Sequence, residues 1–398
     1  MMSMEQVGSG AGWTATNPPG PPGAPPPPEG WSPPPGTAGA PASSNGPAAA
    51  AKTERAWIAA LPKAEVHLHL EGCLRPEQVV AAARRHGVDP NAAAGYARAA
   101  VTSLPQLIAY LDWSCSMIDR PDDLAMLAFD TSRFAWASGT RHVDVLVSPS
   151  SWSMWQGRLA PMVDAIDAGF RAAEHDGFAT ATVCLSLKRS QTRFEAQEIV
   201  DWILELRHPR VSGLSVEGDE SRGSHNERFI EAFARIREAG LRRCAHAGES
   251  SGARGVWEAM TLLGAERIDH GIRSLEDRAV VTEIVDRRVA LDVCPTSNVT
   301  LGLVPDLARH PIETLRRSNV RVSVNTDDPQ LFGIDLAGEY VRCATAFGWG
   351  RDVLTSLART SIESCFADDD RRSALLAELE AFAHPPVPTR RRPAPPRS

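Results

Sequence analysis

The chain has 398 residues, enough for one large domain or two ordinary ones, and its 43% hydrophobic content suits a sizeable globular core. A formal net charge of −7 argues against nucleic acid or an anionic membrane as the main partner. No segment approaches the roughly 20 apolar residues of a membrane helix, no secretory signal pattern is visible, and seven cysteines without paired spacing point to reduced thiols in a cytoplasmic protein.

Residues 1–52 are dominated by Pro, Gly, Ala and Ser. They cannot bury enough apolar area to offset the entropy of ordering, which predicts a disordered tail with polyproline II character. The first strand is predicted over 65–70. Three helices follow over 76–85, 105–116 and 121–137, then a strand over 142–147, a helix over 161–174 and a strand over 180–187. The pattern continues with a helix over 193–206, a strand over 212–216, a helix over 227–239, and strands over 243–246, 267–270, 289–294 and 320–325. Helices over 336–347, 352–363 and 370–382 close the folded part, and 384–398 is a second disordered tail, rich in Pro and Arg. Strands alternating with helices imply a parallel sheet with crossover connections, and eight such units imply a closed (β/α)8 barrel of the TIM type, with additional helices, over 53–383.

Polar residues gather at the predicted strand ends, where such barrels build their sites. Strand one ends in His67-Leu68-His69, strand five in His246-Ala247-Gly248-Glu249, strand six in Asp269-His270-Gly271 and strand eight in Asn325-Thr326-Asp327-Asp328-Pro329. Two histidines one residue apart on a strand share a face. A lone pair of this kind is usually an ordinary surface feature, and His246 alone is more readily a satisfied core histidine. Asp327-Asp328-Pro329 could be a turn or a helix cap. Together, on one rim, they point to a metal held by nitrogen and oxygen donors: His67, His69, His246 and Asp327. Zinc in such a site lowers the pKa of its water to about 7, which makes the reaction class metal-assisted hydrolysis. His270 is expected near that water, and Glu249 in a desolvated pocket is a candidate acid. Adjacent strand residues face opposite ways, so Asp327 and Asp328 serve one site only where the strand breaks, and Pro329 predicts that break.

These motifs resemble the adenosine deaminase family of metal-dependent hydrolases over roughly residues 57–381. The closest likeness lies in 243–332, where His246–Glu249, Arg267–Gly271, Val293–Asn298 and Val324–Pro329 occur in family order. The resemblance implies one zinc ion per chain on His67, His69, His246 and Asp327, with Glu249, His270 and Asp327 carrying the chemistry. It implies that Glu249 protonates purine N1, that His270 positions the water, that Asp328 hydrogen-bonds N7, and that the backbone of Gly218 meets N3. His69 and Glu71 are expected to face the substrate as well. The implied reaction deaminates a 6-aminopurine nucleoside, adenosine or 2′-deoxyadenosine, to the 6-oxopurine and ammonia. The implied partner is a small-molecule purine, with no nucleic acid and no membrane, and the oligomeric state is left open.

Two positions depart from the adenosine-acting pattern: Glu71 stands where many members carry Asp, and Asp269 where glycine is usual. Both changes resemble members acting on adenine or aminodeoxyfutalosine, which gives the alternative substrate. The segments 216–220 and 295–298 read closer to the adenosine-acting branch. Trp113, Trp152 and Trp155 could stack on a base or simply pack. A purine-binding barrel without catalysis is a second class of reading. A third is a dinuclear hydrolase with Lys188 as the bridging group. The cytidine-type zinc site is set aside, because Cys294-Pro295 has no second cysteine three residues on.

Overall fold

A computed structural model describes residues 47–97, 101–221 and 223–384. Eight strands run in chain order around one sheet: β1 (Lys63–His69), β2 (Thr140–Val147), β3 (Thr180–Lys188), β4 (Val211–Glu217), β5 (Arg242–Ala247), β6 (Arg267–His270), β7 (Ala290–Val293) and β8 (Arg321–Val324). Every neighbouring pair is parallel. The strands are buried along most of their length, as expected where a parallel sheet is covered by helices outside and filled by side chains inside. This is the (β/α)8 barrel that the sequence predicts.

The barrel closes beyond the last regular strand. Leu68 bridges Asp327 in parallel fashion. The amide of His69 donates to the carbonyl of Asp327 at 2.9 Å, and the amide of Asp327 to the carbonyl of His67 at 3.2 Å. Side chains reinforce this seam: the Val66 amide donates to Asn325 Oδ1 at 2.9 Å, and Thr326 donates to the buried Glu65 through its amide and its hydroxyl. At the opposite joint β4 and β5 pair through only Gly213–Arg242 and Leu214–Arg243. Gly213 permits that contact, since a Cβ there would stand 2.4 Å from the carbonyl oxygen of Arg242.

The barrel interior is polar as well as packed. Arg267 of β6 is 1% exposed and donates to Asp144 of β2 at 2.5 Å. It pairs with Asp292 of β7 at 2.5 Å, and its guanidinium lies 3.9 Å above the ring of Phe366. A buried charge of this kind persists because both carboxylates and an aromatic face replace its water.

The helices over Pro76–Arg85, Pro121–Ala137, Arg193–Leu206 and Leu336–Phe347 fall where the sequence predicts them. A further helix spans Pro47–Ala60 and takes in residues 47–52, the end of the stretch expected to be a tail. The alanines after Pro47 are the strongest helix formers, and a proline is tolerated in the first turn. Residues 1–46 and 385–398, which hold the rest of the two predicted tails, lie outside the described residues. Among the described residues no helix is long and apolar enough to cross a membrane.

Candidate active site

The ends of β1, β5 and β8 bring four donor atoms together. Nε2 of His69 and Nε2 of His246 stand 3.1 Å apart. Oδ1 of Asp327 lies 3.2 Å from Nε2 of His67 and 3.3 Å from Nε2 of His69. All four residues are buried. Tetrahedral ligands at about 2.0–2.1 Å from zinc are separated by about 3.3–3.4 Å, so this cluster has the spacing of a zinc site. Nε2 of His67 is fully buried with no hydrogen-bond partner, which is costly unless a metal accepts its lone pair.

An acceptor stands behind each of the other ring nitrogens. Nδ1 of His67 donates to the carbonyl of Asp292 at 3.0 Å. Nδ1 of His246 lies 3.2 Å from Asp269 Oδ2, and Nδ1 of His69 lies 3.5 Å from Glu217 Oε2. The bond to Asp292 leaves the Nε2 lone pair of His67 directed at the metal position, and the carboxylates behind His246 and His69 stand where they can do the same. Asp269, a departure in the motif, is therefore the carboxylate behind His246. Oδ2 of Asp327 accepts from the hydroxyl of Ser297 at 2.7 Å. A second possible grouping, His67 with His270 and Cys294, shares one of the same imidazoles. Burial, then Asp327, pushes the Cys294 thiol well above its usual range despite His67, so it is not a ready thiolate ligand.

Backbone breaks turn these side chains inward. His270 and Asp327 take left-handed φ values of 67° and 66°, uncommon for residues with a Cβ. The break that lets Asp327 and Asp328 share a site is thus made by Asp327 itself, ahead of Pro329. Gly218, at the end of β4, has φ 107°, a conformation glycine reaches without strain. Its backbone lines the cavity.

That cavity has a volume of about 410 Å³ and is bounded by His69, His246, Glu249, His270, Asp327 and Asp328 on its inner side. Its size lies within the usual range for small-molecule sites, about 300–1,000 Å³. Leu104, Leu107, Ile108 and Leu111 form its outer wall. They share one face of the helix Leu104–Cys115, a stripe visible in the sequence but not recognised there as a pocket wall.

Three acids surround the metal cluster. Glu249 is 3% exposed, and its Oε1 lies 3.4 Å from Nε2 of His270. Burial, then Asp327 and Glu220, pushes its carboxyl well above the usual range. Asp328 is raised likewise by burial, Asp327 and Glu71, and neither of its buried carboxyl oxygens has a partner. Glu71 is raised to about 8, by burial and by Glu217. It does not line the cavity: its Oε1 accepts from the Ser148 amide and the Trp152 indole, each at 2.7 Å.

The tryptophan expectation resolves toward packing. Trp152 and Trp155 are 0% and 2% exposed, and Trp155 donates to the carbonyl of Ile118 at 2.9 Å. Trp113 packs against the hydrophobic core. None of the three lines the cavity. Lys188 does line it, and pairs there with Asp112. The sequence reading also missed Arg189, a buried cation that donates to the carbonyl of His246 and to Asn226 Oδ1. It missed Gly72 too: a Cβ there would stand 2.0 Å from Asp328 Oδ1.

Comparison with known proteins gives the family and supports the fold. A family model described as adenosine deaminase matches residues 62–382. The adenine deaminase of Rhizobium rhizogenes is 33% identical over 322 residues, covering 80% of this chain and 99% of the relative. That of Trichlorobacter lovleyi is 32% identical over 329 residues, covering 82% of this chain and 94% of the relative. The crystal structure of adenine deaminase from Arthrobacter aurescens superposes with a TM-score of 0.76 at 31% identity, covering 81% of this chain and 99% of the other. An amidohydrolase from Burkholderia ambifaria, solved with bound zinc, gives 0.75 at 29% identity, covering 83% and 93%.

Proposed function

The chain belongs to the adenosine deaminase family of metal-dependent hydrolases, and from that premise we propose that it hydrolyses the 6-amino group of a purine, with free adenine as the substrate. Water and adenine would give hypoxanthine and ammonia. The observation that carries the reaction class is the pair of buried acids, Glu249 and Asp328, on the wall beside the three-histidine, one-aspartate cluster. The adenosine expectation gives way to adenine because three of the four similar proteins named above are adenine deaminases. The departures at Glu71 and Asp269 lean the same way.

Zinc, one ion on His67, His69, His246 and Asp327, would supply a water of lowered pKa. The chain's own groups do the rest. Burial and the neighbouring carboxylates favour the protonated form of Glu249, which can give its proton to N1 and make C6 more electrophilic. Asp328, pushed toward its protonated form by burial and Asp327, can then donate to N7, a bond that would satisfy its partnerless carboxyl. The Gly218 backbone meets the N3 edge, and His69 and His270 border the reacting carbon. The apolar stripe of Leu104–Leu111 covers the outer face and limits water. We place the protein in the cytoplasm, in keeping with seven buried, unbonded cysteines.

The test is turnover of adenine, adenosine, 2′-deoxyadenosine and aminodeoxyfutalosine by the zinc-loaded protein, read by ammonia release and mass spectrometry. Adenine should be turned over fastest. Preference for adenosine would move the substrate and leave the reaction class. No ammonia from any of the four, with zinc bound, would overturn the proposal.

A further inference from the structure

Behind His270 runs a chain of three buried hydrogen bonds that the reaction above does not use. The Ile312 amide donates to Nδ1 of His310 at 3.2 Å. Nε2 of His310 lies 3.1 Å from Oδ1 of Asn298, and Nδ2 of Asn298 lies 3.2 Å from Nδ1 of His270. His310, Asn298 and His270 are 3%, 0% and 1% exposed, so water does not compete for these bonds.

Ring tautomers and amide orientations are ordinarily ambiguous, but here one end of the chain is fixed. A backbone N–H can only donate. Nδ1 of His310 must therefore accept, and the neutral ring carries its hydrogen on Nε2. That hydrogen needs an acceptor, which sets the Asn298 oxygen toward His310 and the amide NH2 toward His270. The amide NH2 in turn can only donate, so Nδ1 of His270 accepts. The neutral His270 ring then holds its hydrogen on Nε2, the nitrogen that faces Glu249 and, 4.0 Å away, Asp327 Oδ2.

We propose that Asn298 and His310 are positioning residues that hold His270 as its Nε2–H tautomer, so that this ring meets the metal site as a hydrogen-bond donor and not as a base. Three elements take part: β6 supplies His270, the helix Pro295–Thr300 supplies Asn298, and the turn before the helix Ile312–Arg317 supplies His310. In deamination the donor would orient the attacking oxygen and stabilise charge growing on it. Proton removal from the water would then fall to another group. Burial keeps His310 neutral, with its pKa lowered to about 4, as the direction of the chain requires.

The kinetic consequence rests on the deaminase reading, whereas the tautomer itself does not. The deciding measurement is therefore 15N nuclear magnetic resonance of the zinc-loaded protein carrying 15N-histidine, with His270 assigned by comparison with His270→Asn. Nδ1 of His270 should resonate as an unprotonated nitrogen and Nε2 as a protonated one. A proton on Nδ1, alone or with Nε2, overturns the proposal. Asn298→Asp keeps the shape and replaces the donor with an acceptor, so it should move the His270 hydrogen to Nδ1. Its kcat on the best substrate should fall about 10–100-fold, with zinc content and KM near those of the parent. An unchanged His270 spectrum in Asn298→Asp would also overturn the proposal. Should no purine be turned over at all, the spectra still decide the tautomer.

Discussion

Glu249 occupies a place where a carboxylate is expensive: buried, beside Asp327 and with Glu220 under its own amide. The role proposed for it needs the protonated form that this environment favours. Glu249→Gln should keep zinc and lose about 10²–10⁴-fold in kcat, measured with metal analysis on the same sample; near-parental turnover would end its role as acid. His310 gives a stability prediction with a definite sign. Its pKa falls from 6.5 to about 4 on folding, so below pH 6.5 the unfolded chain binds a proton that the folded chain refuses. The neutral ring thus contributes stability above pH 6.5 that is lost as pH falls toward 4, roughly 3 kcal/mol in all. Denaturant unfolding of the parent and of His310→Gln at pH 7 and pH 4.5 should show the parent losing more. Equal losses would place the ring in water. Glu249 and His246 were legible because each closes a strand next to its own turn. The bonds from Trp152 to Glu71 and from His310 to Asn298 were not, since they join separate elements and no local pattern encodes them.

At the scale of elements, the short 3-10 turn Glu71–Cys73 follows β1 and leans against Asp328, the residue after Asp327. Gly72 is what allows this. Added to Gly72, a methyl group would stand 2.5 Å from the Asp328 Cα as well as 2.0 Å from its Oδ1. Gly72→Ala should therefore cost about 1–3 kcal/mol of stability and, by displacing Asp328, up to about 10²-fold in kcat. Unfolding midpoints and initial rates check both, and parental values in each would show that the turn can retreat without moving Asp328. Strands were readable as near-continuous β-branched runs, and their order alone gave the barrel. Helices such as Ala253–Thr261 and Arg278–Asp286 were passed over because they are short. The extra helix at Pro47–Ala60 was hidden in a composition that reads as low complexity.

Across the whole molecule, the metal cluster joins three strands, and two of them form the seam that closes the barrel. Binding to the folded state alone stabilises it by about 4 kcal/mol when free metal stands a thousandfold above its Kd. Chelation should lower the melting temperature by several degrees and broaden exchange of the β1 and β8 amides. A melting curve indifferent to metal would mean that the seam holds unaided. Removal of residues 1–46 should leave kcat within about twofold, read on the truncated zinc-loaded protein.

That seam also sets an order of events. During synthesis His67 and His69 leave the ribosome well before Asp327 and the backbone that latches onto them. Until then β1 has no partner on one side, and the nascent sheet carries open edges at both ends. Capture of a metal on these four residues would thereby wait for Asp327: a chain stopped before it can offer imidazoles but lacks both the carboxylate and the backbone that latches the seam.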